Sequence, residues 1–352
     1  MPTRPPVPIP PPAPDGVGDV GRWAARPGPP GTRFHQIRCY DDVDSTNRLA
    51  MDAARSGAAE GLVVTAEHQR AGRGRLGRTW DAPPGRNLLV SIVLRPRLGP
   101  ADRHLVTAMT ALAAADAIAA LAGFLPLVKW PNDLLAPDGR KLAGVLAEAD
   151  GATGSSVSAH DGPESGTGES GTGESSAADP GADEPDDAES RSAVVVGIGI
   201  NVTWPCRDRP GDIAAGALAT ASSLAEWSEA DLDGPGPRGA LLDNILTGLD
   251  RRLVSTSAPG GPVRLAAELR SRCATIGRHV RVELYGTTLT GVAVDLTDEG
   301  HLVVLDSSGP TPVRTVVAAG DVVHLRTGDS PPMPELHRER TREAPPMPEV
   351  HC

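Results

Sequence analysis

Gly72-Arg73-Gly74-Arg75-Leu76-Gly77, followed by Arg78 and Trp80, lies between two apolar runs and decides how the chain is read. Glycine lets a backbone take up positive φ and come close to an anion. Interleaved arginines add fixed, forked positive charge suited to carboxylate or phosphate. Such a loop can close over a negatively charged small molecule. It also fits G-x-G-x-x-G, the dinucleotide fingerprint, but the context excludes that fold. The fingerprint should open a helix and meet an acidic residue about 20 positions on. Here the glycines run into Arg78-Thr79-Trp80-Asp81-Ala82-Pro83-Pro84, and Arg95-Pro96-Arg97-Leu98 carries no carboxylate. The lysine, catalytic-loop and metal-binding motifs that accompany a kinase glycine loop are not found. A basic surface loop without function would show the same glycines, so the loop needs support from elsewhere.

Working outward, Leu62-Val63-Val64-Thr65-Ala66 reads as a strand that delivers the loop, and NLLVSIVL (87–94) as a buried strand closed by Pro96. Asp44-Ser45-Thr46-Asn47 supplies capping residues for a helix through Leu49, Met51, Ala53 and Ala54, ended by Gly57 and Gly61. An alanine-rich helix is expected from about 101 to 122. It resembles a membrane span only superficially, because it carries Asp116 and is broken by Gly123 and Pro126. Lys129-Trp130-Pro131-Asn132-Asp133 starts extended, since the residue before proline is pushed out of the helical region. Pro137-Asp138-Gly139 is a turn into the strand 141–148, and 193–202 resumes as its partner, ending Gly197-Ile198-Gly199-Ile200-Asn201. Glycines inside strands mark close approach of a ligand or a second backbone. Helices are expected at 238–254 and 262–273. From 277 to 325 short alternating strands predict a small β-barrel.

Charge and composition set the organisation. The 352 residues suffice for two domains, hydrophobic residues make up 39%, and mean hydropathy is −0.20, as in a soluble globular chain. Segment 151–192 holds ten acidic residues and one arginine, a net of −9, which leaves about −2 of the total −11 for the rest. The remainder is thus nearly neutral, with no basic field for general nucleic-acid binding. The segment lacks the apolar residues to build a core, so disorder is expected there. Residues 1–33 read as a disordered proline-rich arm and 327–352, with its repeated PPMPE(L/V)H, as a disordered tail. Cys39, Cys206, Cys273 and Cys352 are scattered, which suggests neither zinc nor disulfides and fits a reducing cytosol. No apolar signal-peptide run opens the chain.

In combination and in this order, GRGRxGRxW, KWPND, RKLAG and GxGIN closely resemble the biotin–protein ligases over roughly residues 36–326. The resemblance implies an α+β fold: a class II synthetase-like mixed sheet with helices over 34–274, interrupted by the acidic insert 151–192, then an SH3-like β-barrel over 275–326. It implies an enzyme that uses ATP and Mg²⁺ to activate biotin as biotinyl-5′-AMP. That enzyme then transfers biotin to a lysine of a biotin carboxyl carrier protein or domain. By the same resemblance Ser45, Thr46, Asn47 and Gln69 would hold biotin's ring. Arg73, Gly74 and Arg75 would order over its carboxylate and the phosphate, with Gly144 beside biotin. Trp80, Asn132, Asp133 and Asn201 would lie on the nucleotide side. Lys141 would bridge carboxylate and α-phosphate, and together with Arg73 and Asp133 would form the catalytic set, Asp133 being a candidate base for the acceptor amine.

Many bacterial relatives carry an N-terminal helix-turn-helix. Only a proline-rich stretch precedes Phe34 here, so a ligase without a DNA-binding domain is expected. No DNA partner, no membrane and a cytoplasmic location follow as expectations. A lipoate or octanoate ligase or transferase on the same core is the nearest alternative. The intact arginine loop and the C-terminal barrel favour biotin over it. A DNA-binding regulator would need an element that is not found, and a dead scaffold would be expected to have lost Lys141 or the arginines.

Overall fold

The computed structural model describes residues 25–150, 192–205 and 220–325, apart from 285, 308 and 310. The apolar runs become strands β1 (Gln36–Val43), β2 (Leu62–Gln69), β3 (Leu88–Leu94), β4 (Leu127–Lys129), β5 (Asp133–Leu135), β6 (Lys141–Ala149) and β7 (Val194–Ile200). They form one sheet in the order β1-β2-β3-β7-β6-β5-β4. β1 and β2 are parallel, and the other neighbours are antiparallel. The loop after β2 ends in a short 3-10 turn, Arg75–Gly77, rather than a helix, and returns to β3 antiparallel. A dinucleotide fold is thereby excluded by topology as well as by sequence.

Helix α1 (Thr46–Arg55) starts where the capping residues predict, with the Ser45 side chain accepting from Arg48 N. Its Ala50, Met51, Ala53 and Ala54 are buried against β2, β3 and β7 on one face of the sheet. α2 (Leu105–Ala122) lies on the other face, against β4–β7, and is covered by α3 (Pro235–Ser257) and α4 (Gly261–Ser271). α2 is long and apolar enough to cross a membrane by composition, yet most of it is buried inside the protein. A helix apolar all round is what a core position between sheet and helices requires. Asp116, its one charge, reaches outward to Arg252 and Arg272.

The pair β6–β7 is a hairpin in register from Ala143↔Ile200 to Ala149↔Val194. Apart from Ser192, the acidic segment that joins them lies outside the described residues, as do 1–24 and the tail. Residues 25–33 correct the boundary set for the arm. Arg26 exchanges main-chain bonds with Ile37 and pairs with Asp243, and Arg33 pairs with Glu60 and Asp250. The folded unit therefore begins before Phe34. Strands β1 and β5 were not foreseen: QIRCYDDV alternates poorly, and β5 is three residues long.

The C-terminal module is a five-stranded antiparallel sheet, β8 (His279–Leu284), β9 (Thr287–Leu296), β10 (Leu302–Asp306), β11 (Val313–Val317) and β12 (Asp321–His324). The short alternating strands expected from 277 to 325 are present, and a bend at 318–319 separates β11 from β12. The module docks through Trp130, whose N–H donates to Thr275 Oγ1 at 3.1 Å and whose indole N–H donates to Gly300 O at 3.0 Å.

Candidate functional site

Strand period 2 puts three cross-strand rungs on the face that α1 covers: Leu89, Gly199 and Gly144; Ser91, Gly197 and Leu146; Val93, Val195 and Glu148. Two of these rungs contain glycine, and the space left by the missing side chains is filled from above. A Cβ on Gly197 would stand 2.1 Å from Asn47 Oδ1, and one on Gly199 2.6 Å from the Trp80 ring. The strand glycines thus admit the protein's own Asn47 and Trp80 flat against the sheet. A cleft remains between this face, the start of α1 and the arginine loop.

The inner end of the cleft is polar and closely bonded. Gln69 Oε1 accepts from Thr46 N at 2.8 Å and lies 3.0 Å from Thr46 Oγ1. Ser91 donates to Asn47 Oδ1 at 2.6 Å, and Asn47 Nδ2 donates to Glu148 Oε2 at 2.7 Å. Leu89, Val90, Val145, Leu146 and Ile198 line the middle. Apolar walls with a few fixed polar groups are the usual make-up of a small-molecule site.

The outer end is cationic. Arg73, Arg75 and Lys141 line it, and the nearby carboxylate of Asp133 holds Lys141 Nζ at 2.7 Å. The Lys141 ammonium also stands 5.6 Å from the centroid of the Trp80 ring, within cation–π range. Arg75 Nη1 donates to Asn132 Oδ1 at 3.2 Å, and Asn132 Nδ2 donates to Val145 O at 3.0 Å. Burial lowers the Arg75 guanidinium from its ordinary value while Asp321 and Asp133 pull it back; burial lowers Lys129 in the same way. The loop itself is a small flap. Trp80 N donates to Gly72 O and Gly74 N to Arg78 O, and at the tip Leu76 sits at φ 55 with 63% of its surface exposed. Arg78 ties the flap's outer strand to Asp321 of the C-terminal module.

The structure therefore gathers Ser45, Thr46, Asn47, Gln69, Arg73, Gly74, Arg75, Trp80, Asn132, Lys141 and Gly144 around one cleft. Asp133 stands one contact behind, through Lys141. Asn201 does not reach the cleft. Its side chain accepts from Asn87 Nδ2 at 3.0 Å and donates to Ser222 O at 2.9 Å, so both ends of the amide are engaged behind Lys141. Ser91 and Glu148 were missed by sequence reasoning. The available signal was a single hydroxyl in the apolar run LLVSIVL and a single carboxylate in KLAGVLAEA. Among the described residues no group of three or more His, Cys, Asp or Glu could hold a metal ion.

The description "Biotin/lipoate A/B protein ligase family" matches residues 40–158, and "Biotin protein ligase C terminal domain" matches residues 275–325. The chain is 33% identical over 302 residues to the biotin–[acetyl-CoA-carboxylase] ligase of Mycobacterium tuberculosis, covering 84% of this chain and 91% of that protein. It is 29% identical over 272 residues to the bifunctional ligase/repressor BirA of Bacillus spizizenii, covering 77% and 70%. Its fold is similar to that of the Aquifex aeolicus biotin protein ligase solved with biotin and ATP: TM-score 0.58 at 21% identity, covering 82% of this chain and 99% of that one. The C-terminal match falls on the five-stranded module, and the family match covers α1, the arginine loop and Lys141. On these grounds the chain belongs to the biotin protein ligase family.

Proposed function

We propose that the chain is a biotin–[acetyl-CoA-carboxylase] ligase, which joins biotin to AMP and then to the lysine of a biotin carboxyl carrier protein or domain. The observation that carries this reading is the gradient along one cleft: amide and hydroxyl groups at the head, apolar strands in the middle, three cations at the mouth. A ligand that matches it has a polar ring, an alkyl chain and a carboxylate. ATP is the second substrate, entering at the cationic end beside Trp80 and Asn132.

In the first step a carboxylate oxygen attacks the α-phosphorus, the α–β bond breaks, and pyrophosphate leaves. Arg73 and Lys141 reduce the repulsion between the two anions and meet the charge that develops in the transition state. The mixed anhydride is destroyed by water, so closure of the flap over it protects it. In the second step the carrier lysine attacks the acyl carbon, an amide forms, and AMP departs. Asp133 positions Lys141, and its carboxylate becomes available to take the amine's proton only when Lys141 has turned to the phosphate. Asn201 acts from behind, holding the backbone at Lys141. Mg²⁺ would accompany the ATP phosphates, and its charge would aid pyrophosphate departure. A cytoplasmic setting is part of this reading. The domain limits proposed are the folded catalytic part up to 274 and the module at 275–325. DNA and membranes have no part in this reading.

The test is mass spectrometry of a purified apo carrier domain incubated with the chain, ATP and biotin. A single biotinyl adduct on one lysine supports the reading. The same adduct formed with lipoate or octanoate in preference to biotin would replace it with the alternative.

A further inference from the structure

Ser91 and Glu148 flank the head of the cleft without lining it. We infer that these two residues are positioning residues that fix which hydrogen-bonding groups Thr46 and Asn47 offer to the ligand. The inference rests on the proposed biotin reading and deepens it.

The number of protons available fixes the direction of each bond. Ser91 is fully buried in the middle of β3, and its oxygen stands 2.6 Å from Asn47 Oδ1 and 2.8 Å from Thr46 Oγ1. A hydroxyl has one proton, and an amide oxygen has none to give. Ser91 must therefore donate to Asn47 Oδ1. The Thr46 hydroxyl then faces two oxygens that take protons, Ser91 Oγ and Gln69 Oε1 at 3.0 Å. Whichever receives the Thr46 proton, that proton stays inside the protein, and a lone pair of Thr46 Oγ1 is left for the cleft.

Glu148 fixes the other half. Its carboxylate accepts from Asn47 Nδ2 at 2.7 Å, so the amide cannot turn over without setting its oxygen against a carboxylate. The second N–H of Asn47 meets only Leu146 O, at 3.4 Å, and is the one a ligand carbonyl can recruit. Gln69 is oriented likewise: its oxygen is taken up by Thr46, which leaves its amide nitrogen as the donor it can offer a ligand. Gly197 leaves the space in which Asn47 lies.

The head thus presents an acceptor, Thr46 Oγ1, flanked by donors from Asn47 and Gln69. The complement is a ring edge where an N–H adjoins a C=O, a cyclic urea. A dithiolane or a plain alkyl end offers neither group, and would leave these polar atoms desolvated and unpaired. Ser91 and Glu148 thereby contribute to selecting the acid without touching it.

The experiment uses the full chain with Ser91→Ala, Glu148→Ala and Glu148→Gln. It measures KM for biotin and for ATP, kcat at saturating biotin, and inhibition constants of desthiobiotin and lipoate against biotin. For S91A and E148A the expected result is a rise of about tenfold in the biotin KM and the desthiobiotin constant, the size of one lost buried hydrogen bond. The lipoate constant and the ATP KM should stay within about twofold, and kcat within about threefold. E148Q keeps an oxygen that accepts from Asn47 and should restore the biotin KM to within about twofold of the parent. A biotin KM unchanged in both alanine variants overturns the inference, as does parallel weakening of biotin, lipoate and ATP, the mark of general packing damage. If S91A does not fold, the E148A and E148Q pair decides by the same criteria, because Glu148 lies near the end of β6. Failure of the parent chain to use biotin at all would instead refute the proposed function.

Discussion

The head of the cleft and its mouth are built in opposite ways. The head is formed by the three central strands β3, β7 and β6 and the first turn of α1, with Thr46, Asn47 and Ser91 all buried. The mouth is formed by a flap held by a few main-chain bonds, with an exposed tip and exposed Arg73 and Arg78. Recognition of a fixed ring profits from rigid elements, where donors and acceptors are already placed before binding. Activation needs a cover that closes over an unstable anhydride and reopens for a protein acceptor. One sheet supplies both, because the strand glycines let the flap's Trp80 rest on the same surface that ends at Asn47.

Substitutions at the two ends should therefore fail differently. The largest effect is expected at the mouth: Lys141→Ala should lower biotinyl-AMP formation by about 10²–10³-fold with little change in Tm, through loss of a charge contact made in the transition state. Single-turnover kinetics with labelled ATP checks it, and near-parental rates in a folded variant would remove Lys141 from the catalytic set. At the head, Gly197→Ala places a Cβ 2.1 Å from Asn47 Oδ1. Overpacking of this kind costs about 1–3 kcal/mol. It should appear mainly as a raised biotin KM, with pyrophosphate exchange at saturating biotin largely retained. Equal losses in KM for biotin and ATP would show that the ends are not separable.

Arg75→Gly sharpens the contrast further. Arg75 anchors the flap to Asn132, so its removal should loosen closure, speed loss of biotinyl-AMP by about tenfold, and label bystander lysines. Unchanged retention of the adenylate would deny the flap a gating role. Replacing 151–191 by a short turn should leave kcat/KM for the carrier within about twofold, because the β6–β7 register closes at Ala149↔Val194. A drop beyond about tenfold would give the acidic segment a function.

The smallest effect concerns the junction with the C-terminal module. Burial, aided by Lys129 and Arg278, pushes the His324 imidazole down to about 4. The unfolded chain takes up that proton near the ordinary value of about 6.5, so stability is complete above that pH and declines as the pH falls towards 4. Allowing for partial exposure, the loss by pH 5 should be about 1 kcal/mol. Comparing Tm at pH 7 and pH 5 for the parent and His324→Gln tests it, the variant showing the flatter dependence.

The sequence made the contacts of the loop legible because arginine, glycine and lysine at the mouth announce their chemistry by residue type. The hairpin 141–149/194–200 and its glycines were equally plain. The head was only half visible. Ser45, Thr46 and Asn47 read first as helix-capping residues, a role that only Ser45 fills, and Ser91 is one hydroxyl in a buried strand whose partners are 44 and 45 positions away. Asn201 stands apart for the converse reason: an amide at the end of GIGIN looks ligand-facing, and the fold bonds it to Asn87 and Ser222. β1 escaped notice because it is an edge strand in which Asp41 interrupts the inward face of Ile37, Cys39 and Val43. Main-chain pairing with β2, rather than side-chain pattern, makes it a strand.

The central claim is that one cleft activates biotin's carboxylate with ATP. ATP–pyrophosphate exchange by the purified chain measures that step alone, without any carrier protein. The account predicts exchange that depends on biotin, saturates with it, is not supported by lipoate, and falls by about 10²–10³-fold in Lys141→Ala. Exchange that proceeds equally without biotin, or that lipoate supports better, would contradict it.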